Sequence, residues 1–172
     1  MINFPDREWL FIDATYVKAH QYSSVGDIKE QGIDRSVTDN TSKIHLAMDA
    51  HGNPISFIIT DGVTLDIKAA PDLIDSLDLS QVVILRADKG YDSQSFREKI
   101  EASHTKANAP RNRNIKLSNE HMDWHLYKSR YLVENAFCHI KHYRGIATRY
   151  EKWKRNYENL VALTLAYHWL KL

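Results

Sequence analysis

Length, composition and charge set the first limits on what this chain can be. It has 172 residues, of which 43% are hydrophobic and 26% charged, as expected for one soluble globular domain. No apolar run is long enough to span a membrane, and the N-terminus lacks the layout of a signal peptide. The only cysteine, Cys138, excludes an intrachain disulfide and a cysteine-based zinc site, which fits a cytoplasmic protein.

Basic residues are concentrated in the C-terminal part, although the net charge is only +1. Residues 1–104 contain 10 Lys and Arg against 17 Asp and Glu, a net of −7, whereas residues 105–172 contain 13 against 5, a net of +8. This asymmetry, with Tyr, Trp and His among the basic residues, favours a nucleic acid as partner. The alternative is that the two parts fold together and their charges balance across one surface.

Three antiparallel strands are predicted in the first part of the chain. Residues 8–17 are aromatic and β-branched, as in a strand, although Asp13 interrupts the apolar run. The polar segment 20–40 is typical of a loop. Residues 43–49 and 55–60 flank a Gly-Asn-Pro turn, and together they predict a β-hairpin.

Helices and strands alternate in the rest of the chain. The short apolar segment 81–87 is typical of a strand at the centre of a sheet, and Asp88 follows at its end. The order βββαβαβα with a C-terminal helix predicts a single α/β domain over residues 1–172, with a mixed sheet flanked by helices. The other predicted elements are helices over 64–77 and 93–102, an edge strand over 104–109, a helical region from the cap Ser118 to Lys141, a polar connector over 147–152 and a helix over 157–172.

The helical region that ends at Lys141 carries two stripes of side chains. Leu126, Val133, Phe137 and Ile140 form an apolar side suited to packing on a core. A phenol, a guanidinium, a carboxylate and an ammonium share a neighbouring side within about 60° of arc. These four residues are Tyr127, Arg130, Glu134 and Lys141. The plainer alternative for this stripe is an i,i+4 salt bridge between Arg130 and Glu134 beside two solvated side chains.

Two aspartates and Glu134 form the candidate catalytic set. Asp13 lies in the first strand and Asp88 at the end of the fourth, and these strands can be neighbours at the middle of the sheet. Glu134 on the following helix can reach the same place. Three converging carboxylates need a cation, and hard oxygen ligands select Mg²⁺ or Mn²⁺. Taken singly, Asp13 could be a satisfied strand residue and Asp88 a helix cap.

The order of these residues resembles the DDE transposases of bacterial insertion sequences, and within them most closely the insertion sequence 5 family. The spaced Tyr, Arg, Glu and Lys set is the most specific part of the resemblance, which covers nearly the whole chain. The matching segments are Ile12-Asp13-Ala14-Thr15, residues 41–46, Gly52-Asn53-Pro54, Asp88-Lys89-Gly90-Tyr91, the stretch from Tyr127 to Lys141 and residues 146–152.

The resemblance implies a ribonuclease H-like catalytic core that cuts and joins DNA at the ends of a mobile element. Asp13, Asp88 and Glu134 would hold the divalent ions, two of them by analogy, for strand cleavage and strand transfer. The implied partners are DNA, as terminal inverted repeats and target, and further copies of the chain in an active oligomer. Contacts to the DNA backbone would come from Tyr127, Arg130 and Lys141, with Arg111 and Arg113 of the basic segment as further candidates.

Two departures from the family pattern leave other functions open. Relatives often carry a glycine-rich stretch before the second strand, whereas this chain has Asp34-Arg35-Ser36-Val37-Thr38 there, without glycine. Met1 lies just before the first strand, so we expect the N-terminal DNA-binding region of full-length relatives to be absent, or supplied by an upstream-frame product. The first alternative is therefore a non-catalytic regulatory fragment that binds DNA or transposase, and the second is a general metal-dependent nuclease.

Three further predictions concern residues without an assigned catalytic role. Cys138 is expected to be a small buried residue, and Trp124 is expected to be packed rather than stacked on a base. The nine histidines are expected at the surface or facing DNA and not as zinc ligands.

Overall fold

A computed structural model describes residues 6–23, 31–35, 39–111, 119, 122–124, 128–129 and 131–170. The strands are β1 (Trp9–Ala19), β2 (Asp34–Arg35), β3 (Asn40–Met48), β4 (Pro54–Asp61), β5 (Ile84–Ala87), β6 (Lys106–Asn108) and β7 (Thr148–Arg149). The helices are α1 (Asp66–Asp75), α2 (Gln94–Glu101), α3 (Tyr131–Lys141), α4 (Arg144–Ala147) and α5 (Lys154–Leu170). Short 3₁₀ turns cover Gln21–Ser23 and Lys89–Tyr91.

The strands form one mixed sheet with β1 at its centre. The order is β2-β3-β1-β5-β6, with β4 also paired to β3 and β7 to β1. β1, β3 and β4 are antiparallel, whereas β5 and β7 run parallel to β1 and β6 runs parallel to β5. Three antiparallel strands followed by parallel ones, with helices on both faces, make this a ribonuclease H-like fold, as predicted.

Alternate side chains of β1 enter two separate cores, because successive residues of a strand point to opposite faces. Leu10 and Ile12 pack with α1 and α2, whereas Phe11 and Val17 pack with α3 and α5. The predicted apolar side of α3 is confirmed for its described members, since Val133, Phe137 and Ile140 are all buried in the second core. Leu126 lies outside the described residues.

The predicted polar connector over 147–152 contains β7 and a fully buried arginine instead. The guanidinium of Arg149 donates to the carbonyl oxygens of Gln31 at 2.7 Å and Gly32 at 3.3 Å, and to Ser42 Oγ at 2.8 Å. The side chain thus ties the C-terminal part to β3 and to the segment before β2. These three partners are more than 100 residues away in sequence, whereas the carbonyls of Glu151 and Lys152, which also accept from the guanidinium, are adjacent. No local pattern indicates the long-range contacts.

Most predicted elements occur close to their expected bounds, and the differences are local. The segment 20–40 was predicted as a loop, yet its described part includes a 3₁₀ turn and the short strand β2. The last helix begins three residues earlier than predicted, at Lys154. The helical region predicted from Ser118 to Lys141 was wrong at Met122 and Asp123, which are not helical, and α3 begins only at Tyr131. Ser118 itself lies outside the described residues.

Candidate functional site

The register of two parallel strands brings Asp13 and Asp88 together. Ile12 of β1 lies opposite Ala87 of β5, so the next residue on each strand is one of the two aspartates. Neighbouring strands are about 4.8 Å apart, and opposed residues project to the same face. Asp13 is only 8% exposed, and its Oδ1 accepts a 2.8 Å hydrogen bond from the backbone N–H of Ala14. The pairing of strands that the sequence suggested is therefore confirmed.

Glu134 reaches the same region from α3. The buried side of this helix leaves Glu134 exposed one helical turn before Cys138. Glu134, Cys138 and Lys141 line a cleft of about 560 Å³ together with Asp13 and Thr15 of β1. One predicted aspartate and the predicted glutamate thus share a cleft that solvent can enter.

Lys141 fastens the end of α3 to β1 beside this cleft. Its ammonium donates to Thr15 Oγ1 at 2.6 Å and to the carbonyl oxygen of Tyr16 at 2.7 Å. Burial of the side chain lowers the pKa of Lys141. Lys141 therefore has a structural role, because it bonds to Thr15, two residues after Asp13. The sequence motif did not indicate this role.

A buried hydrogen-bond chain supports the turn that carries Asp88. The backbone N–H of Tyr91 donates to the Asp88 carbonyl at 3.0 Å and closes the turn. The Tyr91 hydroxyl lies 3.2 Å from Nδ1 of His45, whose Nε2 lies 3.0 Å from Thr60 Oγ1. Because the Thr60 hydroxyl donates to the Asp61 carbonyl, His45 carries its proton on Nε2 and accepts from Tyr91 at Nδ1.

Electrostatics follow from the burial of this chain. Desolvation lowers the pKa of His45 from 6.5 to about 4, with Asp66 opposing the shift and Lys43 adding to it. Burial raises the pKa of Tyr91 well above its ordinary value, and the nearby negative charges act in the same direction. Those charges belong to Asp66, Asp13 and Asp88. The charges of both candidate catalytic aspartates therefore oppose ionisation of Tyr91.

An ion pair on the α1 side supports the same turn. Lys43 Nζ contacts Asp66 Oδ1 at 2.9 Å and donates to the Thr64 carbonyl at 2.7 Å, with the lysine side chain 4% exposed. The other oxygen of Asp66 lies against Gly90, where an added Cβ would approach it to 2.9 Å. Gly90 therefore permits the close approach of α1 to the turn after Asp88. Sequence reasoning missed Lys43 and His45, although their alternation on β3 placed both on the face towards α1.

The residues predicted to contact DNA are only partly described. Tyr127, Arg130 and Arg113 lie outside the described residues. Arg111 is half-buried, and its backbone N–H donates to Asn119 Oδ1 at 2.9 Å. Arg111 is not among the described side chains that line the cleft.

The three candidate carboxylates are arranged as two pairs rather than as one cluster, and their chemistry fits a hard divalent cation. Asp13 and Asp88 are neighbours through the sheet, and Asp13 and Glu134 share the cleft. Carboxylate oxygens are the ligands that Mg²⁺ and Mn²⁺ prefer. Among the described residues, which include all three acids, no group of three His, Cys, Asp or Glu side chains is placed to hold one metal ion together.

Three predictions about individual side chains were wrong. Cys138 is exposed and lines the cleft, because its position on α3 falls on the side of Glu134 rather than on the core side. Trp124 is 53% exposed. His45 is fully buried instead of facing the surface, because its ring nitrogens bond within the fold.

The sequence matches known transposases. Residues 5–169 match the family described as "Transposase DDE domain". A protein of Brucella ovis, named as a transposase for insertion sequence element IS6501, is 37% identical over 132 residues, which make up 76% of this chain and 99% of the relative. A protein of Burkholderia cepacia, named as a transposase for IS402, is 29% identical over 125 residues, 64% of this chain and 54% of the relative.

One solved structure, a piggyBac transposase synaptic complex with hairpin DNA, aligns over 73% of this chain and 26% of its own length. Its TM-score is 0.42 and its sequence identity 16%. The strand order and directions described above are those of the ribonuclease H-like class. The family match is more specific: the chain belongs to the transposase DDE domain family. Membership of the insertion sequence 5 family stays a prediction. In the part of the chain that the structure covers, no helix is both long and apolar enough to cross a lipid bilayer.

Proposed function

We propose that this chain is the catalytic domain of an insertion-sequence transposase that cleaves and transfers DNA strands at the ends of its element. The observation that carries the proposal is the register of β1 and β5, which sets Asp13 beside the position of Asp88. Glu134 lines the same cleft as Asp13. In a chain of the DDE family, these are the three acids that the motif order selects.

Asp13, Asp88 and Glu134 would hold two Mg²⁺ or Mn²⁺ ions, with Asp13 common to both pairs of carboxylates. When bound, such ions activate an attacking water or 3′-hydroxyl and stabilise the leaving oxygen of a phosphodiester. The chain's own part is to hold the carboxylates rigidly. The sheet fixes Asp13, the closed turn fixes Asp88, and Lys141 fixes the helix that carries Glu134.

DNA contact would involve residues on and before α3. Lys141 is already engaged with β1, so its influence on DNA would be exerted from a fixed position at the edge of the cleft. Tyr127, Arg130, Arg111 and Arg113 remain the other candidates for holding phosphates, through charge and hydrogen bonds. The substrates would be terminal inverted repeats and target DNA, and joining two ends calls for at least two copies of the chain.

The test is calorimetric titration of Mn²⁺ into the wild-type chain and three single variants, with and without DNA. We expect Asp13→Asn, Asp88→Asn and Glu134→Gln each to weaken binding by at least about tenfold, since each removes a charged oxygen ligand. Asp72→Asn removes an exposed carboxylate of α1 and should leave binding unchanged. Equal metal binding by wild type and all three variants would overturn the catalytic proposal and favour the regulatory fragment.

A second assay addresses the reaction itself. Duplexes that carry the element ends should be nicked in a Mn²⁺-dependent manner by the wild-type chain and not by Glu134→Gln. Cleavage that ignores the terminal repeats would instead favour a general nuclease. Both outcomes are read on the same gel, with Asp72→Asn as the folded control.

A further inference from the structure

A second groove, which we call the ring groove, lies between the C-terminal end of α3 and α5. It encloses about 630 Å³, within the range of roughly 300–1,000 Å³ that ligand sites occupy. Five rings dominate its lining. They belong to His139, His142, Tyr143, Tyr167 and His168. Neither the proposed catalytic chemistry nor the family motif uses any of these residues.

The ring groove adjoins the cleft that Asp13 and Glu134 line, which we call the carboxylate cleft. Cys138 and His142 line both of them. Cys138 is four residues after Glu134, which is about one turn of α3. A chain-like ligand that passes Glu134 and Asp13 therefore reaches the ring groove at Cys138 and His142.

Four of the rings contact one another in two edge-to-face pairs. His139 and His168 meet edge to face, with ring centroids 5.4 Å apart, and Tyr143 and Tyr167 do the same at 6.2 Å. Tyr143 is 43% exposed and Tyr167 44% exposed, so parts of both phenol rings remain accessible. Thr164 also lines the groove, and its hydroxyl donates to the Leu160 carbonyl at 2.9 Å.

The charge of the surroundings suits an anionic ligand. No Asp or Glu is found among the described side chains that line the ring groove. Lys141 and Arg144 are its neighbours in sequence, but the Lys141 ammonium is bonded to β1 and the Arg144 guanidinium to the Tyr150 hydroxyl at 3.0 Å. The described lining thus offers rings without a carboxylate that would repel a phosphate, and stacking of bases on rings is one of the two components of single-strand nucleic-acid sites.

We propose that the ring groove binds unpaired bases of the DNA strand that adjoins the scissile phosphate. This inference rests on the proposed function, because it takes the carboxylate cleft as the place of cleavage. A paired base presents only its edge to a protein, whereas a base must leave the stack before both faces can meet side-chain rings. The groove is concave, so it can receive a displaced base but cannot enter a groove of the duplex.

The experiment uses two DNA probes of the same mixed sequence, one fully paired and one forked, with 2-aminopurine in the unpaired arm next to the cleavage position. Fluorescence reports base stacking, and anisotropy gives the Kd. For wild type we expect tighter binding of the forked probe and quenching of its 2-aminopurine. Tyr167→Ala and His139→Ala should each weaken forked-probe binding by roughly tenfold, as loss of one stacking ring does elsewhere. Binding of the paired probe should stay unchanged.

Matched variants separate stacking from folding. Tyr167→Phe retains the ring and should keep both the affinity and the quenching of wild type. Tyr22→Ala removes a tyrosine that is 71% exposed outside the groove and should have no effect. Equal affinity of wild type and Tyr167→Ala for the forked probe would overturn the proposal. So would an equal loss of affinity of Tyr167→Ala for the forked and the paired probe, or a wild-type chain that binds neither probe.

Two further readings keep this test distinct from that of the proposed function. Mn²⁺ binding by Tyr167→Ala should match that of wild type. The variants that replace Asp13, Asp88 or Glu134 can therefore lose metal binding while the ring groove still binds DNA, and Tyr167→Ala can lose DNA binding while metal binding is retained. Sedimentation of Tyr167→Ala is measured in parallel. A drop in oligomeric state with unchanged DNA binding would assign the groove to a contact between copies of the chain and refute the proposal.

Discussion

Acid should destabilise this fold through one histidine. His45 is fully buried on β3, where Tyr91 donates to one ring nitrogen and Thr60 accepts from the other. A second proton on the ring would have to replace the hydrogen bond from Tyr91 at a fully buried position. The unfolded chain has no such restriction, so it binds the proton near the ordinary pKa of 6.5.

The size of the effect follows from the two pKa values. The pKa of His45 is about 4 in the folded chain and 6.5 in the unfolded chain. Between these values the unfolded state binds more protons, so stability falls as pH falls. At about 1.36 kcal/mol per pH unit, the free energy of unfolding should drop by about 2 kcal/mol between pH 7 and pH 5. The full loss by pH 4 is about 3 kcal/mol.

Urea unfolding at several pH values between 7.5 and 5 measures this slope. His45→Gln has an amide in place of the imidazole and cannot titrate, so the slope due to His45 should disappear from the variant even if its stability at pH 7 is lower. His51→Gln removes an exposed histidine in the turn between β3 and β4 and should keep the wild-type slope. A wild type whose stability is flat from pH 7 to 5, or an unchanged slope in His45→Gln, would refute the reasoning.

The remaining predictions are read from denaturant unfolding. Arg149→Met should lower stability by about 3–5 kcal/mol, because the buried carbonyls that the guanidinium satisfies are left unpaired. Gly62→Ala should lower it by more than about 1 kcal/mol, since the new Cβ would lie 1.8 Å from Thr41 Oγ1, and Thr41→Ala should recover part of the loss. Lys141→Met removes two hydrogen bonds between α3 and β1 and should cost about 1–3 kcal/mol and weaken DNA cleavage. An Arg149→Met chain as stable as wild type would contradict the role given to β7.

Local patterns were sufficient for most of the fold. The alternation in 43–49 and 55–60 and the Gly-Asn-Pro turn predict β3 and β4 because a half-buried strand repeats every two residues. The apolar run before Asp88 predicts a central strand, and β5 indeed pairs with β1 and β6 on its two edges. The order of the three acids then indicated the family before any contact was known.

Long-range contacts could not be predicted from such patterns. Arg149 resembles an ordinary basic residue in a polar segment, yet it is buried because β7 extends the sheet beside the end of β1. His45 resembles a surface histidine in an alternating strand, yet its two bonds are made to β4 and to the turn after Asp88. In both cases the side chain bonds to residues that only the tertiary fold brings near, and single-residue propensity carries no information about those contacts.

The three candidate ligands differ in how firmly the fold fixes them. Asp13 and the strand end before Asp88 belong to one hydrogen-bonded sheet, so their separation cannot change without breaking backbone pairs. Glu134 depends instead on how α3 lies against β1, and Lys141 is the polar link that holds this contact beside the cleft. A shift of α3 would therefore move Glu134 relative to the aspartate pair, and Lys141→Met should weaken any Mn²⁺ site that includes Glu134 more than the site between the two aspartates. We expect calorimetry to show two distinguishable Mn²⁺ affinities in the wild-type chain and a change in only one of them in Lys141→Met. If the variant loses both to the same extent, the helix and the sheet act as one rigid unit.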